Sequence, residues 1–475
     1  MSHQLVSISR VLPINAAGAV NWRITAVWYV VSHGFILACW NALYWDDWMT
    51  YAEGSESVRE QFANCDRCVL PLRGELEGLL IAPGPWLMHT LIFLLWPLSA
   101  ISIRVILTEI HVFSGRINNL VALTFLFIPA YGARVSLINF QYTWLLFLFL
   151  LGTWLTLHQR VTLRMTGVLL LFWSLFLASL QVFIVATVAC LIWRRYQTGT
   201  RGFSLVLPLP ICLLLFPFVH RYFLPQFFEG LRVTDGYNEI RPMFLARAVI
   251  VAIVLLGPTL ILVFRKSRGL TVSSEALLMT LGGGLLALGT FPYMAVGHFP
   301  NLSDWVLPFL PDMSDWNSRH QLLQTIGFSV LVVGLIEMLQ FRRWRSFVAV
   351  LVAFVAINVA TYSSYYLDWL KQSALIEQVQ DRSEELAGAE AVIVVDQARD
   401  FNARGRVFRS YEWNRILERS LGRSIVTDGE HLDYCLSQSP SHRIIIGATS
   451  GRLKALLTQS VSLNVAIEGI PLCRR

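Results

Sequence analysis

Charge is what this chain has least of. Only 15 % of its 475 residues are Asp, Glu, Lys or Arg, where a soluble globular chain carries about 25 %. That deficit excludes an ordinary soluble enzyme, and it excludes a disordered chain, which needs high charge and little hydrophobicity. Lysine is almost missing: Lys266, Lys371 and Lys454 stand alone, so the net charge of +7 is an excess of arginine. The arginines sit in short clusters between apolar blocks and form no basic stripe on a soluble fold. Nucleic acid is therefore excluded as a partner.

What the chain has is apolar length. Hydrophobic residues make up 55 % of it and its mean hydropathy is +0.55. The blocks predict an α-helical multispanning membrane protein with about eleven transmembrane helices. They fall at 22–44, 85–107, 117–132, 143–157, 166–179, 180–193, 203–223, 243–264, 275–295, 321–341 and 345–363. Basic residues favour cytoplasmic loops. Arg10 and Arg23, Arg160 and Arg164, Arg194 with Arg195 and Arg201, Arg265 with Lys266 and Arg268, and Arg342 with Arg343 and Arg345 all fall on one side if the N-terminus is cytoplasmic. The loops 45–84, 133–142, 224–242, 296–320 and the C-terminal tail then face outward. Trp45-Asp46-Asp47-Trp48 follows the first block in place of a small-residue cleavage site, so that block reads as a retained span.

The composition changes near Ser364. Residues 1–370 form the membrane module, and 374–475 predict a small extracytoplasmic α/β domain. Its strands are expected at 391–395, 442–448 and 461–467, and its helices at 411–421 and 451–460. No phosphate-binding glycine loop opens these helices. Cys39, Cys190 and Cys212 lie in spans as buried thiols. Cys65 with Cys68, and Cys435 with Cys473, face outward, where an oxidising compartment permits disulfides. A zinc site would need two further ligands beside the CxxC.

Ionisable residues inside a membrane are functional candidates by default, and few occur here. Glu109, Glu275 and Glu337 fall at predicted cytoplasmic ends. Gly282-Gly283-Gly284 predicts close helix packing. The outward face is richer. Asp46 and Asp47 adjoin where the first span leaves the bilayer, and partial desolvation with mutual repulsion makes a carboxylate a better base. The loop after them has the spacing of surface helices and leads through Pro83-Gly84-Pro85 to His89, within reach of the Asp pair. Arg319 and His320, just before the tenth span, suit a lipid phosphate or diphosphate. Arg134, His220, Arg221, Arg232 and Arg241 break the positive-inside pattern, which an anionic lipid-linked substrate would explain. Gln141 and Tyr142 could hydrogen-bond sugar hydroxyls.

This layout resembles the GT-C superfamily of integral-membrane glycosyltransferases. The resemblance covers most of residues 20–370. Asp46-Asp47 matches the family's acidic pair, and Arg319-His320 resembles the basic motif of some members. It implies a GT-C-like fold and a polyprenyl-phosphate-sugar donor, with the chemistry on the outer face of a bacterial plasma membrane. Asp46 or Asp47 would deprotonate an acceptor hydroxyl on a glycan, lipid or protein. The sugar would invert in one displacement, with Arg319 and His320 stabilising the departing lipid phosphate. Some members need a divalent metal such as Mg or Mn, for which two aspartates are too few ligands. Competing readings are a polysaccharide polymerase or ligase working through outward arginines such as Arg232 and Arg241, a transporter or flippase of lipid-linked glycans, and a non-catalytic scaffold. A transporter should show internal repeats and midplane charges, and neither is visible.

Overall fold

The computed structural model describes residues 12–15, 19–63, 72–198, 208–219, 242–267, 271–297, 321–339, 343–389, 391–429 and 442–469, together with Phe223, Gln226 and Arg319. Among them, five helices are long and apolar enough to cross a membrane: Pro85–Glu109, Leu137–Thr156, Pro242–Leu262, Ser274–Ala295 and Trp344–Asp381. Shorter apolar helices run over Val161–Ser174, Ala178–Arg194 and Gln324–Met338. The helix Pro242–Ser267 presents Ile250, Ile253, Val254, Leu260 and Ile261 outward, each more than half exposed. An apolar face of that size needs lipid around it, so the chain is a membrane protein.

Each predicted span meets a helix, but not always as one rod. The first block gives a helix only over Trp22–His33. It breaks at Gly34, resumes over Phe35–Ala38, and then runs irregularly into the acidic pair. The paired blocks 166–179 and 180–193 become Val161–Ser174, a short turn of helix at Ala178–Gln181, and Ile184–Thr198. The last block lengthens most. Arg343–Asp381 is one helix that leaves the apolar stretch and carries Asp368 and Lys371 into the C-terminal region.

Small residues set the helix spacing. A Cβ at Gly152 would meet the Gly167 carbonyl at 2.9 Å, and a Cβ at Gly167 would meet that of Gly152 at 2.8 Å. The two backbones therefore touch where Phe140–Thr156 crosses Val161–Ser174. In the predicted glycine patch, Gly282 lies against Leu331 and the Gly327 carbonyl, and Gly284 against Leu256 and Thr259, so the patch serves packing.

The C-terminal sheet has order β2-β1-β3-β4, with β1 Ala391–Asp396, β2 Val426–Gly429, β3 His442–Ala448 and β4 Leu463–Gly469. β1 is parallel to β2 and β3, and β4 closes the edge antiparallel to β3. The helix Ser410–Leu421 makes the crossover from β1 to β2 and ends at Gly422, whose φ of 67° glycine alone adopts without strain. β2 was not expected, being a four-residue strand with no apolar run: Val426-Thr427-Asp428-Gly429.

In parallel sheets the crevice for a ligand opens at the carboxyl ends of strands where the crossovers diverge, here between β1 and β3. That place is filled. Lys371, fully buried, donates from Nζ to both oxygens of Asp396 at the end of β1 (2.7 and 2.6 Å), to Asn402 Oδ1 (2.6 Å) and to the Ala398 carbonyl (3.2 Å). One turn earlier, Asp368 accepts from Arg406 Nε (2.8 Å), Gln372 Nε2 (2.6 Å) and the Ala403 N–H (2.7 Å). The long helix is thus bonded into the sheet domain through a buried polar network.

Candidate active site

The acidic pair divides into two unlike residues. Asp47 is fully buried. Its Oδ2 accepts from the N–H of Tyr44 (3.0 Å) and of Leu137 (2.9 Å), and its Oδ1 from Ser136 Oγ (2.8 Å) and the Ile138 N–H (2.7 Å). Leu137 and Ile138 open the membrane helix Leu137–Thr156, and the first N–H groups of a helix have no partner inside it. Asp47 caps that helix from ninety residues away in the chain. Burial pushes its carboxyl up to about 7, against the pull of the four hydrogen bonds, which favour the charged form.

Asp46 is half-buried, and its Oδ1 accepts from the Tyr411 hydroxyl at 2.8 Å. Tyr411 belongs to the crossover helix of the sheet domain, so that domain lies on the same side as the acidic pair. Three further contacts join them. The N–H of Trp45 donates to Glu412 Oε1 (3.2 Å), the Arg406 guanidinium stacks 5.1 Å from the Trp45 ring, and Arg415 pairs with Glu53. Trp45 has φ of 50°, a left-handed conformation that is costly for a bulky side chain. Glu412 accepts from Arg406 Nη1 at 2.5 Å, and Arg406 also holds Asp368. Burial alone would lower the guanidinium's pKa, but the carboxylates of Asp368 and Glu412 outweigh it and keep Arg406 firmly charged.

The other candidates scatter. His89 is fully buried and its Nε2 lies 3.2 Å from the Ala42 carbonyl, a backbone contact. Gln141 and Tyr142 are half-buried at the start of the helix that Asp47 caps. Arg319 is half-buried ahead of Gln324–Met338. His320, His220, Arg221, Arg232 and Arg241, and both outward cysteine pairs, lie outside the described residues. Arg134 is almost fully buried; its Nε donates to the Tyr362 hydroxyl (2.8 Å) and its guanidinium lies 4.3 Å over Trp96. Arg134, one of the arginines expected to face outward, is therefore held among buried aromatic side chains.

Sequence reasoning missed several groups. Tyr411, Glu412 and Arg406 lie in the tail and carry no motif. Glu77 is buried beside the site, accepting from Tyr51 Oη (2.6 Å) and Arg73 Nε (2.8 Å); the Arg73–Glu77 spacing of four within a loop helix was the available signal. Gln321 and Gln324, one turn apart, are fully buried and neither amide has a hydrogen-bond partner. Unpaired buried amides are rare and call for an explanation.

Among the described residues, the acidic pair gives a divalent metal few ligands. Asp47 could coordinate one only by surrendering its donors, Asp46 would supply a single carboxylate, and no cluster of three or more His, Cys, Asp or Glu that could hold a metal occurs among the described residues. No family model, curated protein or solved structure matches this chain.

Proposed function

We propose that the protein transfers a sugar from a polyprenyl-phosphate donor to an acceptor hydroxyl at the outer face of the membrane, with Asp46 as the general base. The observation that carries this reading is the split between the two carboxylates. Asp47 is spent on capping a membrane helix, which leaves Asp46 as the half-exposed carboxylate at the lip of the apolar helices. In the proposed step, Asp46 takes the proton of the acceptor hydroxyl as its oxygen bonds to the anomeric carbon. The bond from that carbon to the phosphate oxygen breaks, and the lipid phosphate leaves with its electron pair. Phosphate needs no proton to leave, so one base suffices and the sugar inverts. Arg319 is the described cation proposed to face that charge. The expected location is a bacterial plasma membrane, with the N-terminus cytoplasmic and the sheet domain outside.

The test is transfer by purified protein from a panel of polyprenyl-monophosphate hexoses and pentoses, tritiated in the sugar. Asp46→Asn should remove turnover by roughly a hundredfold or more, the scale of a lost general base, while leaving the fold intact. Undiminished transfer by that variant would refute Asp46 as the base. A polymerase reading predicts instead that Arg232 or Arg241 variants fail while Asp46→Asn survives.

A further inference from the structure

We infer that the C-terminal domain is part of the catalytic machinery, with Tyr411 as the positioning residue that orients the Asp46 carboxylate. This rests on the reading of Asp46 as the base. A carboxylate on a surface turn rotates freely, and a base must meet its proton within hydrogen-bond reach. Here the turn is held at both of its first residues by the same helix. The Tyr411 hydroxyl occupies Asp46 Oδ1, and Glu412, the next residue, binds the Trp45 N–H. The left-handed Trp45 needs such a hold, because strain of this kind persists only where the surroundings over-determine it. Glu412 is fixed in turn by Arg406 and by the Arg409 N–H (3.0 Å), and Arg406 by Asp368 of the long membrane helix. The chain of contacts runs from the membrane, through the sheet domain, and back to the carboxylate.

Tyr411 suits the task. Burial, and then its bond to Asp46, keep the hydroxyl well above the usual tyrosine range, so it remains a donor at any working pH. By engaging one carboxylate oxygen it fixes the plane in which the other meets an acceptor hydroxyl. Ring contact alone would not do this, so Tyr411→Phe removes the orienting bond and keeps the packing.

The experiment compares wild type with Tyr411→Phe in two readouts. The first labels carboxylates with a water-soluble carbodiimide and glycine ethyl ester and reads each site by peptide mass spectrometry. Asp46 should label several-fold faster in the variant, while Glu53, paired with Arg415 of the same helix, labels as in wild type. The second is turnover of a panel donor that wild type uses: kcat should fall roughly tenfold, as for one hydrogen bond to a charged group, with KM for the donor unchanged. Unchanged Asp46 labelling and kcat would overturn the inference. So would parallel rises at Asp46 and Glu53, which would mean the contact only docks the domain. If wild type transfers no sugar, or Asp46→Asn still does, the functional reading fails and the catalytic part of this inference fails with it. The labelling arm then still decides whether Tyr411 holds Asp46.

Discussion

Adjacent residues of one type can sit in opposite surroundings, and Asp46 and Asp47 do. Four donors meet the Asp47 carboxylate, three of them backbone N–H groups. Asp47→Ala would strand them all in a dry corner at about 1–3 kcal/mol each, so the protein should lose several kcal/mol of stability, read as a fall in the detergent-solubilised melting temperature. The titration has a definite sign. A carboxyl raised from 3.8 to about 7 on folding contributes stability that is complete below about pH 4 and lost as pH rises through 7. Wild type should therefore weaken over that window, and Asp47→Asn should lack that slope; parallel profiles for the two would refute the assignment. The sequence marks the pair as a candidate but cannot say which member is buried. That depends on residues 136–138 folding back onto position 47, a contact with no local pattern.

At the level of elements, long apolar blocks betray helices because every backbone group inside lipid must be paired within the helix. What those blocks do not reveal is where a helix stops. His33 ends the first one although the hydrophobic run continues, and a short second piece over Phe35–Ala38 follows Gly34. Nor does apolarity show how closely two helices approach. The reciprocal Gly152–Gly167 contact leaves no room for a methyl group, so Gly167→Val should force the pair apart. The cost should be about 1–3 kcal/mol, the usual range for overpacking, visible as a lower melting temperature. A variant as stable as wild type would mean that the crossing is looser than described. In the tail, β1, β3 and β4 were legible from their Val and Ile runs, whereas β2 was hidden by its polar composition.

Across the whole molecule, the sheet domain and the membrane helices share one apolar core, and a buried charge network also joins them. Lys371 and Arg406 are held by Asp396, Asp368 and Glu412, all buried. Such groups are strongly destabilising when one partner is removed, by about 3–5 kcal/mol, because the remaining charge stays buried and unpaired. Lys371→Met should accordingly loosen the domain from the long helix, opening residues 382–409 to limited proteolysis while the membrane part stays folded. Protease resistance equal to wild type would show that the network is dispensable. The sequence offered Lys371 only as one of three lysines. Its partner Asp396 sits at the end of a strand twenty-five residues on, and the pairing exists only once the sheet has formed.

The span between Trp45 and Glu412 has a consequence for how the protein is made. The two are 367 residues apart in the chain and touch in the finished structure. At about 5–20 residues per second, synthesis separates them by roughly 20–70 s. Through that time the acidic turn is already outside the first helix but lacks the residues that hold it. A nascent chain therefore carries an unset carboxylate, whose contacts form only once the crossover helix of the sheet domain has emerged. Loss of the final sixty-odd residues would leave the membrane helices in place and the carboxylate without its anchor.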